Sequence, residues 1–248
     1  MTFELKDPYF NPARARPSAF IMRPTGPGMV NAYRINYGKH VAIAVLPGMC
    51  TESHIMSPVA SAGTPPRYRK YISLLVHNQD WERTESFVGI CFGQDTIHCA
   101  INAKALQLST RLNPVDTSKE VLAKIVKKPL FRYIESPKKS DAQSTPREGA
   151  GGPSSQFSSA YSLKYDDEVP VYDARGVDFD FHTNIRDLST MLPRWKGGEV
   201  PIGSFIVAGF TMASFMGKAQ GMTEKTLHVG NNILWVVICG TPIRSSSD

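Results

Sequence analysis

The chain has 248 residues, of which 42% are apolar and 20% charged, a composition typical of a globular protein. Its 28 basic and 22 acidic side chains leave a net charge of +6, and its four cysteines are too few for a disulfide framework. This composition excludes a collagen-like fibre, and no apolar stretch reaches the roughly 18 residues of a membrane-spanning helix. We therefore expect a protein of the cytosol or nucleus that makes no membrane contact.

The positive charge is concentrated in the first part of the chain. Residues 1–140 hold 19 basic and 10 acidic side chains, a net +9, whereas residues 141–248 hold 9 and 12, a net −3. Five prolines precede Val30, with Arg14, Arg16 and Arg23 among them. Because proline removes a backbone donor and fixes φ, residues 1–29 are predicted to form an irregular basic arm.

Short apolar runs separated by glycine and proline predict a series of strands after this arm. The clearest local pattern is a hairpin, with strands 87–92 and 96–101 around a loop at Gly93, Gln94 and Asp95. A strand at 40–46 is expected to end at the Pro47-Gly48 pair. The other predicted strands are 31–37, 71–77, 169–172, 177–181, 205–210 and 234–238.

Two helices are predicted from capping and spacing. Thr117 and Glu120 form a capping box ahead of a helix that Pro129 ends, and a second helix begins near Thr183 and stops at Pro193. Residues 136–160 are almost entirely serine, proline, glycine and charge, which predicts a disordered insertion. The sequence thus predicts one mainly β domain over residues 30–248, a barrel or sandwich that could be OB-like, with two short peripheral helices.

The last third of the chain carries a recognisable order of motifs: VYDAR at 171–175, FDF at 179–181, LPRW at 192–195, EVPIGSFIVAGFT at 199–211 and NNILWVVICGTP at 231–242. In this order the segment resembles a family of uncharacterised proteins abundant in mushroom-forming fungi. The shared residues are mostly apolar strand formers. The resemblance therefore implies a strand-rich segment and assigns no role to any residue.

Two stretches in the basic part alternate cations with aromatic rings. Cations neutralise phosphates and aromatic faces stack bases, so this combination is typical of single-stranded nucleic-acid binding. The alternative is a solvated basic surface, because lysines near the end of a helix also complement its dipole. The predicted contacts are Arg67, Tyr68, Arg69, Lys70, Tyr71, Lys127, Lys128, Phe131 and Arg132.

A weaker candidate is an acidic cluster at Asp178, Asp180 and His182. On a strand these three side chains would share one face and could hold a divalent cation for hydrolysis. The alternative is the polar face of a half-buried strand.

No nucleotide-binding loop, zinc-ligand spacing or nucleophile motif occurs, so no cofactor is expected and the sequence favours a protein that is not an enzyme. Three functions follow as hypotheses. The first is a non-enzymatic protein that binds single-stranded DNA or RNA. The second is a self-associating, shell-forming β protein whose basic arm faces nucleic acid. The third is a metal-dependent hydrolase.

Overall fold

A computed structural model describes residues 7–25, 32–61, 66–112, 161–218 and 224–243. One helix, α1, spans Asn78–Phe92, and two single helical turns, Phe181–Asn184 and Leu188–Met191, are joined by a 3-10 turn at Ile185–Asp187. The strands of the described ranges are β1 (Tyr9–Phe10), β2 (Phe20–Pro24), β3 (Tyr33–Tyr37), β4 (His40–Val41), β5 (Ile43–Ser61), β6 (Arg67–Leu75), β7 (His98–Cys99), β8 (Ile101–Asn102), β9 (Ala105–Ser109), β10 (Val171–Asp173), β11 (Phe205–Lys218) and β12 (Lys225–Gly240).

Five of these strands close into a barrel in the order β5, β6, β9, β12 and β11, with β11 returning to β5. The ladders of β5 with β6, β6 with β9, β12 with β11 and β11 with β5 are antiparallel. The barrel closes between β9 and β12, which run parallel and share the register pair Ser109 and Asn232. The predicted mainly β barrel with two helical segments is thereby confirmed, whereas likeness to the OB fold stays a prediction.

One edge of β12 is completed by short segments from distant parts of the chain. β7 pairs with His228 and Val229, β9 with Asn232, and β10 with Val236–Ile238, all in parallel. On that edge neither Gly230 nor Asn231 has a ladder partner among these segments. The barrel wall is therefore interrupted beside Asn231.

The apolar side chains form two layers, because alternate residues of each strand point to opposite faces. The interior cluster is built on fully buried side chains of the barrel strands, including Leu46, Ile72, Leu108, Phe210 and Ile238. A second cluster covers the outside of β5, β11 and β12, where residues 172–192 pack on the indole of Trp235.

The predicted hairpin at 87–101 is wrong, because residues 78–92 form α1. Trp81, Thr84 and Val88 recur at helical spacing and turn toward the barrel. Gly93 adopts a left-handed conformation and its N–H bonds the carbonyl of Ile90, which ends the helix. Val88 and its neighbour Phe87 join the interior cluster, so α1 packs against one mouth of the barrel.

Other strand boundaries also differ from prediction. Part of the expected irregular arm is ordered on the sheet, since β1 pairs with β5 and β2 pairs with β3. β5 continues through Pro47 and Gly48 because the ladder with β6 begins at Met49 and Pro47 pairs with β11 alone, so the missing N–H of proline disrupts no second ladder. Residues 177–180 are not a strand, whereas the predicted helix after Thr183 is confirmed in two short turns. The predicted helix after Thr117 and the insertion at 136–160 lie outside the described residues.

Candidate functional site

The five predicted nucleic-acid contacts on β6 are divided between the two faces of that strand. Along β6, Arg67, Arg69 and Tyr71 lie on one face, and Tyr68 and Lys70 lie on the other. The remaining four predicted contacts, Lys127, Lys128, Phe131 and Arg132, lie outside the described residues.

Lys70 is a structural residue in this fold. Its side chain is 6% exposed, and its Nζ donates a hydrogen bond of 2.8 Å to the carbonyl of Asp167. Its backbone N–H also donates to the Thr110 hydroxyl. Lys70 therefore connects β6 to the 161–170 segment through the hydrogen bond of its ammonium to Asp167.

The outer face of β6 carries a polar network centred on the carboxylate of Glu52. Glu52 accepts hydrogen bonds from the Tyr71 hydroxyl at 2.8 Å and the Asn102 amide at 2.7 Å, and it pairs with His54 at 3.3 Å. The Arg69 guanidinium lies 5.6 Å from the centroid of the Tyr71 ring and donates to Gln107 at 2.6 Å. We call Glu52, His54, Arg69, Tyr71 and Asn102 the Glu52 network.

The Glu52 network perturbs the titration of both its acidic members. Burial alone would raise the pKa of Glu52, but hydrogen bonds from Tyr71, Asn102 and His54 outweigh it and hold that pKa below its usual value. Burial and the neighbouring Glu52 carboxylate raise the pKa of Tyr71 to about 12. The carboxylate thus bonds Tyr71, the residue whose ring Arg69 faces, and adds negative charge to this face.

We expect Glu52→Gln to lower the free energy of unfolding at pH 7 by up to about 1 kcal/mol, a modest value because the network is partly exposed. A carboxyl with a lowered native pKa stabilises the fold above its unfolded pKa near 4.5, and that contribution is lost at lower pH. Urea unfolding at pH 7 and pH 3 measures the difference. Tyr71→Phe should weaken the same pH dependence, and a difference that stays constant between the two pH values would contradict the assignment.

The structure does not bring Asp178, Asp180 and His182 together as a group of metal ligands. Asp180 caps the helical turn that follows it, accepting from the backbone of His182 and the hydroxyl of Thr183, both at 2.9 Å. These hydrogen bonds lower the pKa of Asp180. No group of three metal-ligating side chains occurs anywhere in the described ranges, and Asp178, Asp180 and His182 form none. The alternation that suggested the cluster requires a strand, and this segment is a loop and helix.

A cavity of about 770 Å³ lies between α1 and the interior of the barrel. α1 contributes Trp81, Val88 and Gly89 to its wall, and the loop after α1 contributes residues 93–97. The apolar residues on the barrel side come from β7, β9, β11 and β12: Cys99, Leu106, Phe210, Met212 and Val229. This wall is mainly apolar, and sequence reasoning missed the cavity because it placed strands where α1 lies.

A few polar groups face this cavity. Asn231 of β12 is 7% exposed and lines its barrel side, and Thr84 lines its helix side with its hydroxyl donating to the Asp80 carbonyl at 2.7 Å. Burial, and then the charge of Glu85, raise the pKa of the Cys99 thiol. The acidic residues Glu85 and Asp95 are part of the lining, which includes no lysine, arginine or histidine from the part of the chain that the structure describes.

Within the described ranges, no helix is both long and apolar enough to cross a membrane.

The comparisons with known proteins add no family to this description. The likeness of residues 171–242 to fungal proteins stays a prediction. No protein-family model, no curated protein and no solved structure matches the chain.

Proposed function

We propose that the protein binds a small, mainly apolar molecule in the cavity between α1 and the barrel. The observation that carries this proposal is the cavity itself, whose volume of about 770 Å³ is within the usual range of ligand sites. The mouths of β-barrels are common places for such sites. An apolar molecule that binds there is removed from water, which is favourable by about 25 cal/mol of free energy for each Å² of apolar surface buried.

The wall supports this proposal because its groups suit an apolar guest. Phe210 is fully buried, Met212 is 2% exposed and Val229 is 4% exposed, and all three face the cavity. Methionine adapts its shape to irregular contacts, and the aromatic ring offers a large apolar surface. α1 forms the opposite wall, so a ligand would lie between two separate elements of the fold.

Titration with the neutral fluorescent probe N-phenyl-1-naphthylamine tests the proposal. We expect saturable one-to-one binding, and we expect Val229→Phe to weaken it at least about tenfold because the larger ring occupies the cavity. Val177→Phe is the matched control, since Val177 is 38% exposed and does not line the cavity. Absence of saturable binding, or equal affinity in Val229→Phe, would reject the cavity as the site.

Nucleic-acid binding stays a prediction from the sequence. Arg67, Arg69 and Tyr71 share one face, and the stacking of Arg69 on Tyr71 supports it. The adjacent Glu52 carboxylate, which bonds Tyr71, weighs against it. An affinity for a single-stranded oligonucleotide that falls steeply between low and moderate salt would support phosphate contacts.

A further inference from the structure

Asn231 is a buried polar side chain in an otherwise apolar part of the cavity wall. It is 7% exposed, and its neighbours in the lining are Val229 and its ladder partner Met212. Within the described ranges, no other residue forms a hydrogen bond with its side-chain amide. The amide thus has two N–H donors and one carbonyl acceptor directed at the cavity space.

Asn231 is not among the described residues whose side-chain N or O atoms are fully enclosed without a partner, so its amide reaches accessible space. A ligand that displaces water from this amide must replace the lost hydrogen bonds with its own. Among the other buried polar side chains of the described residues, several are engaged in hydrogen bonds, whereas the hydroxyls of Ser162 and Ser204 have no partner and do not line the cavity. Gln107 accepts from Arg69, Thr110 donates to Lys70, and the Thr211 hydroxyl donates to the Tyr161 carbonyl. Asn231 differs because its free hydrogen-bonding groups open onto a space large enough for a ligand.

The charges of the lining restrict the ligand further. Glu85 and Asp95 bring negative charge to the cavity, and none of the described residues that line it is a cation. A carboxylate or phosphate on the ligand would therefore lose its hydration without gaining an opposite charge. A neutral group would bear neither cost, and it could donate to or accept from the Asn231 amide.

We propose that the cavity selects neutral ligands that combine an apolar body with one hydroxyl or carbonyl group, and that Asn231 recognises this group. The proposal rests on the ligand binding proposed above and assigns its polar specificity to one residue. Because a site that hydrogen-bonds a ligand group leaves its own groups unpaired when that group is missing, Asn231 discriminates against ligands that are purely apolar.

Three probes with the same ring body test this inference by displacing N-phenyl-1-naphthylamine. The probes are 2-methylnaphthalene, 2-acetylnaphthalene and 2-naphthoate. In the unaltered protein we expect the acetyl compound to bind about tenfold more tightly than the methyl compound, the effect of one hydrogen bond. We expect naphthoate to bind more weakly than the acetyl compound.

Asn231→Leu should abolish the preference for the acetyl compound while the methyl compound still binds. Asn231→Val serves the same purpose with a better strand former if the leucine variant does not fold, which thermal unfolding will show. Asn232→Leu is the matched control, because Asn232 is the adjacent asparagine and does not line the cavity. This control should keep the preference.

The outcomes separate this inference from the proposed function. If no probe binds, the cavity is not a ligand site and both fail. If the methyl and acetyl compounds bind equally to the unaltered protein, or if the preference survives in Asn231→Leu or Asn231→Val, ligand binding stands and the role of Asn231 is overturned. If naphthoate binds most tightly, the selection for neutral ligands is overturned.

Discussion

Trp235→Ala is expected to lower the free energy of unfolding by about 3–5 kcal/mol, the usual cost of removing a buried large aromatic side chain. The indole is 7% exposed on the outer face of β12, where Tyr172, Ile185 and Leu188 pack in the same cluster. The substitution opens a cavity between the barrel and this covering segment. Urea unfolding followed by circular dichroism measures the loss.

Trp195→Ala is the matched control for this change. Trp195 is only partly buried, and its ring lies 4.9 Å from the Arg175 guanidinium at the edge of the covering segment. We expect Trp195→Ala to lower the free energy of unfolding by less than half as much as Trp235→Ala. If the two substitutions lowered the free energy of unfolding equally, the buried contacts of Trp235 would not explain the destabilisation by Trp235→Ala.

Gly209 provides a second measurement of the same contact. A methyl group at Gly209 would overlap Cε2 and Cζ2 of Trp235, so Gly209→Ala should be strongly destabilising in the unaltered protein. In the Trp235→Ala background the added methyl group has room, and its cost should nearly disappear. The two substitutions should therefore be far from additive in a double-mutant cycle.

Gly48→Ala is expected to cost about 2–3 kcal/mol by overpacking. A Cβ atom at Gly48 would lie 2.6 Å from the backbone carbonyl oxygen of Leu75 and 2.7 Å from Cδ1 of Leu74. A side chain could rotate away, but the carbonyl belongs to β6 and moves only if the two strands separate. Thermal and urea unfolding of the variant measure the cost.

Gly240→Ala is the control for Gly48→Ala, since it is another strand glycine whose added methyl group meets only Cβ of Phe205, at 3.9 Å. It should leave stability nearly unchanged or raise it slightly, because alanine restricts the unfolded chain. If Gly48→Ala were as mild as this control, β5 and β6 would not be held as closely as the structure shows.

Much of the barrel is predictable because its strands follow local rules. The apolar runs at 205–210 and 234–238 lie inside β11 and β12, and the run at 71–77 overlaps β6. The full lengths of these strands are not predictable, because a long strand that pairs with different strands along its length needs no uniform alternation of apolar and polar residues. β5 shows this most clearly, since the Pro47-Gly48 pair predicts a strand end, and Pro47 is tolerated because the ladder with β6 begins only at Met49.

The main wrong prediction is the hairpin at 87–101, which overlaps α1. Two local sequence signals in this stretch favour different structures. Gly93 after an apolar run is typical of a hairpin loop and equally typical of the residue that ends a helix. The recurrence of Trp81, Thr84 and Val88 three and four residues apart favours the helix, and it starts upstream of the run that suggested a strand. A sequence window that began at Trp81 therefore distinguishes the helix from the hairpin.

The candidate site was beyond sequence reasoning for a different reason. Asn231 lies three residues before the strand predicted at 234–238, and its polar side chain has no significance until α1 is placed opposite it. Lys70 shows the reverse case, because its sequence context suggests a ligand contact while the fold buries it against Asp167. Both properties arise from tertiary placement, which one sequence pattern does not encode.

The short segments along the edge of β12 have a consequence for how this protein is made. β7, β9 and β10 come earlier in the chain, but each pairs with β12, which is the last strand of the described residues. A ribosome adds about 5–20 residues per second, so β5, β6 and β9 exist for several seconds before their closing partner emerges. During that interval the future interior is exposed, and the nascent chain is more prone to aggregation than the finished barrel. Completion of β12 is therefore the event that ends this exposure.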